Sequence, residues 1–109
     1  MSELSGYRLV WLVALFDLPV ITKLQRKHAA DYRKRLLQRG FQMAQLSVYF
    51  KFCEGKEQAE LVTRDISEDV PAGGRVDVLM ITDRQYSGIV TIRDSKRVRR
   101  ENPSQLTLF

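Results

Sequence analysis

Ten residues near the start of the chain, Tyr7 to Phe16 (YRLVWLVALF), are nearly continuously apolar and rich in β-branched and aromatic side chains. A strand with one wet face would carry a polar residue at every second position, so this run predicts a central strand buried on both faces. It stops at Asp17-Leu18-Pro19, because proline cannot donate to a sheet ladder and disfavours helix in the residue before it. The run is far shorter than the ~18 apolar residues that a membrane span requires. With Arg8 as its only basic lead-in and Glu3 upstream, it does not read as a secretory signal either.

The other elements follow from local signals. Thr22 is a helix cap, and a helix is expected from Lys23 to Arg39, with Leu24, His28, Tyr32 and Leu36 inward beside Gln25 and Ala29. Gly40 closes it as a C′ residue. Phe41 to Cys53 again reads as extended, but it exceeds the usual ~3 to 10 residues of a strand, so a tight turn or bulge is placed at Gln45-Leu46-Ser47. Glu54 to Asp69 has Ala59, Val62 and Ile66 at helical spacing and is broken by Pro71-Ala72-Gly73-Gly74. Arg75 to Thr82 is the next strand, Asp83 to Gly88 a turn, and Ile89 to Arg93 a short further strand. At 109 residues the chain suits one domain, here 1–93, followed by a basic C-terminal tail, 94–109.

That order gives an α+β class and a ferredoxin-like βαββαβ fold with a short extra C-terminal strand, both helices lying on one face of an antiparallel sheet. The opposite face would leave residues such as Trp11, Tyr49 or Phe52 open to water. A homodimer formed through the sheet face is therefore expected.

The net charge of +5 is unevenly placed. Lys23 to Arg39 carries seven basic residues and one acid, Asp31, and the tail from Arg93 onward has five basic residues against Asp94 and Glu101. Two positive regions on a mildly acidic body either form solvated faces or meet a polyanion. The outward stripe Lys23, Arg26, Lys27 and Lys34 is the candidate nucleic-acid surface, since duplex binding needs phosphate neutralisation and no base-reading geometry. Arg33 and Arg35 flank that stripe. A single cysteine, Cys53, excludes an internal disulfide and a cysteine-cage zinc site, and suggests a reducing, cytoplasmic setting.

Asp17 is the candidate catalytic and metal-binding residue. It stands where the first strand leaves the sheet, so a rigid backbone aims its carboxylate at a ligand. The bland alternative is a turn aspartate bonding its own backbone before Pro19. One carboxylate is a poor magnesium site, but a two-fold axis near this loop would bring a second Asp17 to share one ion. His28, on the side read as apolar, is better explained as a packed imidazole than as a general base.

Three stretches resemble a known family: VALFDLPV at 13 to 20, YRKRLLQRGFQMAQLSVYFKF at 32 to 52 and RVDVLMITDRQYSGI at 75 to 89. The strand-end Asp-Leu-Pro, the Gly-Phe-x-Met-x-Gln-x-Ser-Val-Tyr hairpin and the Ile-Thr-Asp-x-Gln-Tyr turn are similar, in order and spacing, to the CRISPR-associated Cas2 family of the spacer-acquisition module. The likeness is greatest to members found beside single-effector (type II) systems. The resemblance implies a ferredoxin-like homodimer that binds the double-stranded spacer precursor and bridges dimers of the Cas1 integrase. It also implies a metal-dependent endoribonuclease or deoxyribonuclease activity, acting on single-stranded RNA or on DNA, with Mg²⁺ on Asp17. Ser47 and Tyr49 match motif positions that hairpin turn and core packing also explain.

The end of the chain, Gln105-Leu106-Thr107-Leu108-Phe109, has two readings. Alternating Leu106 and Leu108, with Phe109, suit a strand added to a neighbouring subunit or to the integrase. The same five residues resemble the peptide that bacterial proteins insert into the replication sliding clamp. Two further readings keep the fold and drop the family: a metabolite-binding regulatory module, disfavoured by the missing glycine-rich loop, and a toxin-type ribonuclease.

Overall fold

The structure is a computed structural model that describes residues 9–98. Strand β1, Val10–Asp17, is the third of four strands in the order β2-β3-β1-β4, in which β2 is Gln42–Gln45, β3 is Val48–Cys53 and β4 is Arg75–Thr82. Every neighbouring pair is antiparallel. Helix α1, Lys23–Gln38, and helix α2, Lys56–Ser67, pack on one face, so the arrangement is the ferredoxin-like one that the order of elements predicts. No helix among the described residues is long and apolar enough to cross a membrane.

Alternation along β1 builds two cores. Val10, Leu12, Ala14 and Phe16 face the helices, with Ala29, Tyr32 and Leu36 of α1, Ala59 and Ile66 of α2, and Tyr49 and Cys53 of β3. Trp11 and Val13 point the other way and join Phe50 and Tyr86 in a second cluster, edged by Leu15, Val48, Phe52, Ile81 and Ile89. The register explains the sorting, because directly opposed residues share a face: Trp11 lies opposite Phe52 and Ile81, and Leu12 opposite Lys51 and Met80.

The ends of α1 are closed by local chemistry. The Thr22 hydroxyl accepts from the Gln25 N–H at 3.0 Å while the Gln25 side chain accepts from the Thr22 N–H at 3.0 Å, a capping box that contributes about 1 kcal/mol. At the other end the Phe41 N–H donates to the Leu36 carbonyl and the Gly40 N–H to that of Leu37. This pairing needs the left-handed backbone of Gly40, at φ +90°. Arg39 and Arg35 then bind Asp69 of the loop after α2, Arg39 also binds Asp65 of α2, and the Tyr32 hydroxyl donates to the Ile66 carbonyl at 3.0 Å.

Four expectations change. The buried stripe of α1 is Ala29, Tyr32 and Leu36 with Gln25 half-buried; Leu24 and His28 are exposed. Tyr49 lies in the helix-side core, and Trp11 is only 2% exposed, so neither belongs to an open face. Trp11 is covered because the segment taken as a turn is a short helix, α3, Asp83–Ser87, which lays Tyr86 over it. The last expected strand shrinks to β5, Thr91–Arg93, and pairs with β6, Lys96–Val98, across the Asp94-Ser95 turn, so that a two-stranded ribbon straddles the expected end of the domain. Leu106, Leu108 and Phe109 lie outside the described residues.

Candidate functional site

Asp17 is the last residue of β1, exposed between two buried neighbours, Phe16 and Leu18. Three contacts fix the backbone that carries it. The Phe16 N–H donates to the Ser47 carbonyl at 3.0 Å, tying β1 to the β2–β3 turn. On the other side Asp17 pairs in register with Arg75 of β4. Beneath it, Leu18 presses on Gly74, where a methyl group would come within 2.8 Å of the Leu18 Cδ2 and 3.0 Å of the Pro71 carbonyl. The strand end is thus rigid by packing, and the carboxylate stands clear of it.

Asp17 shares its sheet side with Arg75 and Asp77, all three being exposed. The Arg75 guanidinium grips the Asp77 carboxylate at 3.1 and 3.3 Å, leaving Asp17 as the carboxylate without an ion pair among the described residues. No group of three or more His, Cys, Asp or Glu able to hold a metal occurs among the described residues. Each chain therefore offers a divalent ion one hard oxygen ligand here. That fits magnesium only where a second carboxylate or a substrate phosphate completes the set.

The second feature is the outer surface of α1. Lys23, Arg26, Lys27 and Lys34 are all exposed and fall opposite the buried stripe. The first turn of α1 holds no acid, so Lys23 and Arg26 sit at the positive end of the helix dipole, an arrangement that an anion stabilises. Arg26 donates to the carbonyls of Val20 and Ile21 at 3.2 and 2.9 Å. Lys27 pairs with Asp31 at 2.9 Å, which holds the Asp31 carboxyl below its ordinary value. Lys23 and Lys34 have no ion-pair partner among the described residues.

Not every base of α1 faces outward for a ligand. Arg35 and Arg39 are held by Asp69 and Asp65, and the Arg35 guanidinium, then that of Arg39, keeps the Asp69 carboxyl below its ordinary value. Arg33 is half-buried. His28 is exposed on α1 and makes no hydrogen bond to Asp17's strand end among the described residues. Ser47 and Tyr49 have structural roles: the Ser47 carbonyl holds β1, and Tyr49 packs against Phe16 with ring centroids 5.3 Å apart.

The strand-end aspartate, the buried β1 and the hairpin that braces it form one continuous unit with β4, and similarity to known proteins covers that whole unit. The profile of the family described as CRISPR associated protein Cas2 matches residues 10–89. The chain belongs to the Cas2 family. It is 44% identical to the CRISPR-associated endoribonuclease Cas2 of Paracidovorax avenae, over 97% of this chain and 99% of that one. The Cas2 of Flavobacterium psychrophilum is 40% identical over 99% of this chain and 95% of its own. That of Parvibaculum lavamentivorans is 43% identical over 92% of this chain and all of its own length.

Sequence reasoning missed two parts of this Cas2 chain. The Arg35, Arg39, Asp65 and Asp69 clamp was hidden because its arginines were counted with the basic surface, although bases four residues apart on one helix facing acids four apart are a legible signal. The ribbon around Asp94-Ser95 was divided between a strand and a tail, because Lys96-Arg97-Val98 shows no apolar alternation and the turn holds no glycine.

Proposed function

We propose that this Cas2-family chain acts in CRISPR adaptation as a homodimeric double-stranded DNA scaffold for the Cas1 integrase. The observation that carries the reading is the exposed stripe Lys23, Arg26, Lys27 and Lys34, set on the face of α1 opposite its buried residues. Phosphate neutralisation with counterion release supplies sequence-independent affinity, which suits a protein that must accept spacers of any sequence. A dimer would repeat the stripe by two-fold symmetry. The sheet side away from the helices favours such a dimer, because Leu79 stays 52% exposed there beside half-buried Leu15, Val48 and Phe52.

A second reading is favoured by Asp17 and by the name of the relatives, endoribonuclease: hydrolysis of a phosphodiester in RNA or DNA with Mg²⁺ shared by Asp17 of the two subunits. Magnesium, when bound, would acidify a water and neutralise charge on the phosphate. In that reading Asp17 supplies the carboxylate, β1 holds it still, and Arg75 opposite it supplies positive charge beside the phosphate.

Spacer integration in vitro with the cognate integrase separates the two, comparing no added protein, the wild-type chain and Asp17→Ala. Equal integration with both versions supports the scaffold reading. Integration by the wild type alone, with the variant still folded and dimeric, overturns it in favour of the metal site.

A further inference from the structure

The ribbon of β5 and β6 places like charges side by side when it stands alone. Its strands pair only with each other among the described residues, and two-stranded ribbons are marginal in water. The turn between them has Asp94 at φ 53° and Ser95 at φ 64°, the two left-handed positions of a type I′ turn, with no glycine at either. That turn makes Arg93 and Lys96 a directly opposed pair. Two like charges thus leave the same side of the ribbon with Cβ atoms roughly 5 Å apart, a placement that destabilises a sheet. Arg97, opposite Ile92, projects from the other side. All three cations are exposed and none forms an ion pair with a described residue.

A turn that sets two cations side by side, neither of them ion-paired among the described residues although Asp94 stands between them in the chain, is suited to an anion that arrives from outside. A duplex backbone meets that demand, since it presents phosphates at close spacing and a two-stranded ribbon is narrow enough to follow a groove. We infer that the tip of this ribbon, Arg93, Lys96 and Arg97, is a second phosphate-contacting element, separate from α1, that grips double-stranded DNA. The inference rests on the duplex-binding reading given above and adds a site to it. Arg93 and Lys96 act as a pair on one phosphate or on two adjacent ones, and Arg97 reaches the backbone on the other side of the ribbon.

The test is the salt dependence of binding to a mixed-sequence DNA duplex, read by fluorescence anisotropy with the full chain. Each lost phosphate contact lowers the slope of log K against log salt by about 0.9. The triple variant Arg93→Gln, Lys96→Gln, Arg97→Gln is expected to lose about two units of slope or more, and to lose them again in a background where Lys23, Arg26, Lys27 and Lys34 are alanine. The charge-preserving variant Arg93→Lys, Arg97→Lys is expected to keep the wild-type slope, which separates charge from shape. A wild-type chain with no salt-dependent binding overturns the duplex reading itself. Wild-type binding with an unchanged slope in the folded triple variant overturns the ribbon alone, and a change in sedimenting mass with that unchanged slope assigns the ribbon to self-association instead.

Discussion

Tyr86 lies flat on Trp11, ring centroids 3.6 Å apart and planes within 6° of parallel, and the same indole donates its N–H to Asp83 at 2.9 Å. Both partners come from the five-residue helix α3, so this short element seals one end of the sheet face that lacks helices. Truncating Tyr86 to Ala is expected to cost about 3 kcal/mol, read from chemical denaturation. It should also shift the emission of Trp11, the only tryptophan, to the red as water reaches it. Asp83→Ala, which removes the acceptor of the indole N–H, should cost about 1 kcal/mol. A Tyr86→Ala chain as stable as the wild type would mean that α3 does not seal the sheet.

The clamp between the helices predicts two pH limits of opposite sign. Asp69 titrates below its ordinary value because of Arg35 first and Arg39 next, so its contribution is complete above about pH 4 and is lost as pH falls through the depressed value. Asp69→Asn should therefore be less stable near neutrality and flatter in the acid limb of a stability-pH curve. Tyr32 is pushed up to about 12, chiefly by burial and then by the Asp69 charge, so its contribution is complete below pH 10 and lost as pH rises toward 12. Tyr32→Phe should flatten that alkaline limb, at a cost near neutrality of about 1 kcal/mol for the hydrogen bond to Ile66.

Gly74 is fixed by contact. An alanine methyl would meet Leu18 Cδ2 at 2.8 Å and the Pro71 carbonyl at 3.0 Å, so either Leu18 or the loop must move. Gly74→Ala is expected to destabilise the fold by about 1 to 3 kcal/mol. Because Leu18 adjoins Asp17, the same variant should disturb any function that needs the strand-end carboxylate, while duplex binding through α1 stays at the wild-type level. Thermal unfolding and anisotropy on one preparation check both.

Cleavage and binding should respond differently to metal removal. In the proposed binding mode the α1 cations meet phosphates directly, so a chelator should leave duplex affinity unchanged. Any hydrolysis of labelled single-stranded RNA or duplex DNA should disappear both with the chelator and in Asp17→Ala. Hydrolysis that survives Asp17→Ala would place the reaction elsewhere.

What could be read from the chain was what depends on near neighbours. Thr22 with Gln25, Gly40 after α1, the Leu46-Ser47 turn and the strand Arg75–Thr82 each carry their own signal within a few residues. The inward side of α1 was read one step off because Leu24, His28, Tyr32 and Leu36 recur at strict fours. Each such step overshoots a full turn by about 40°, so this row winds about 120° around the helix. It agrees with the true stripe at Tyr32 and Leu36 and leaves it toward Leu24. The stacking of Tyr86 on Trp11 was beyond local reading, since it joins segments that only the β1–β4 register brings together. Thr82 and Gln85 do announce α3 as a capping box, the arrangement that the structure also shows at Thr22 and Gln25. At Asp17 the sequence indicated the strand end and its rigidity, but the Arg75 grip on Asp77 depends on which residues the sheet places side by side.

Asp31 is the only acid on α1, and its effect decides whether the basic stripe faces DNA. Its pair with Lys27 is exposed on both sides and screened by water, so it adds little to stability, and Asp31→Asn should unfold at nearly the wild-type temperature. Its electrostatic effect is larger. The ionised Asp31 carboxylate places a negative charge within the stripe and occupies one of its four cations, Lys27, by a hydrogen bond at 2.9 Å. Removing a unit charge a few ångströms from a phosphate in water raises affinity roughly five-fold at low salt. Asp31→Asn is therefore expected to bind a DNA duplex several-fold more tightly, with a salt slope steeper by up to about 0.9 as Lys27 gains a phosphate. Unchanged or weaker binding, measured by anisotropy across a salt series, would show that duplex DNA approaches the molecule from another side.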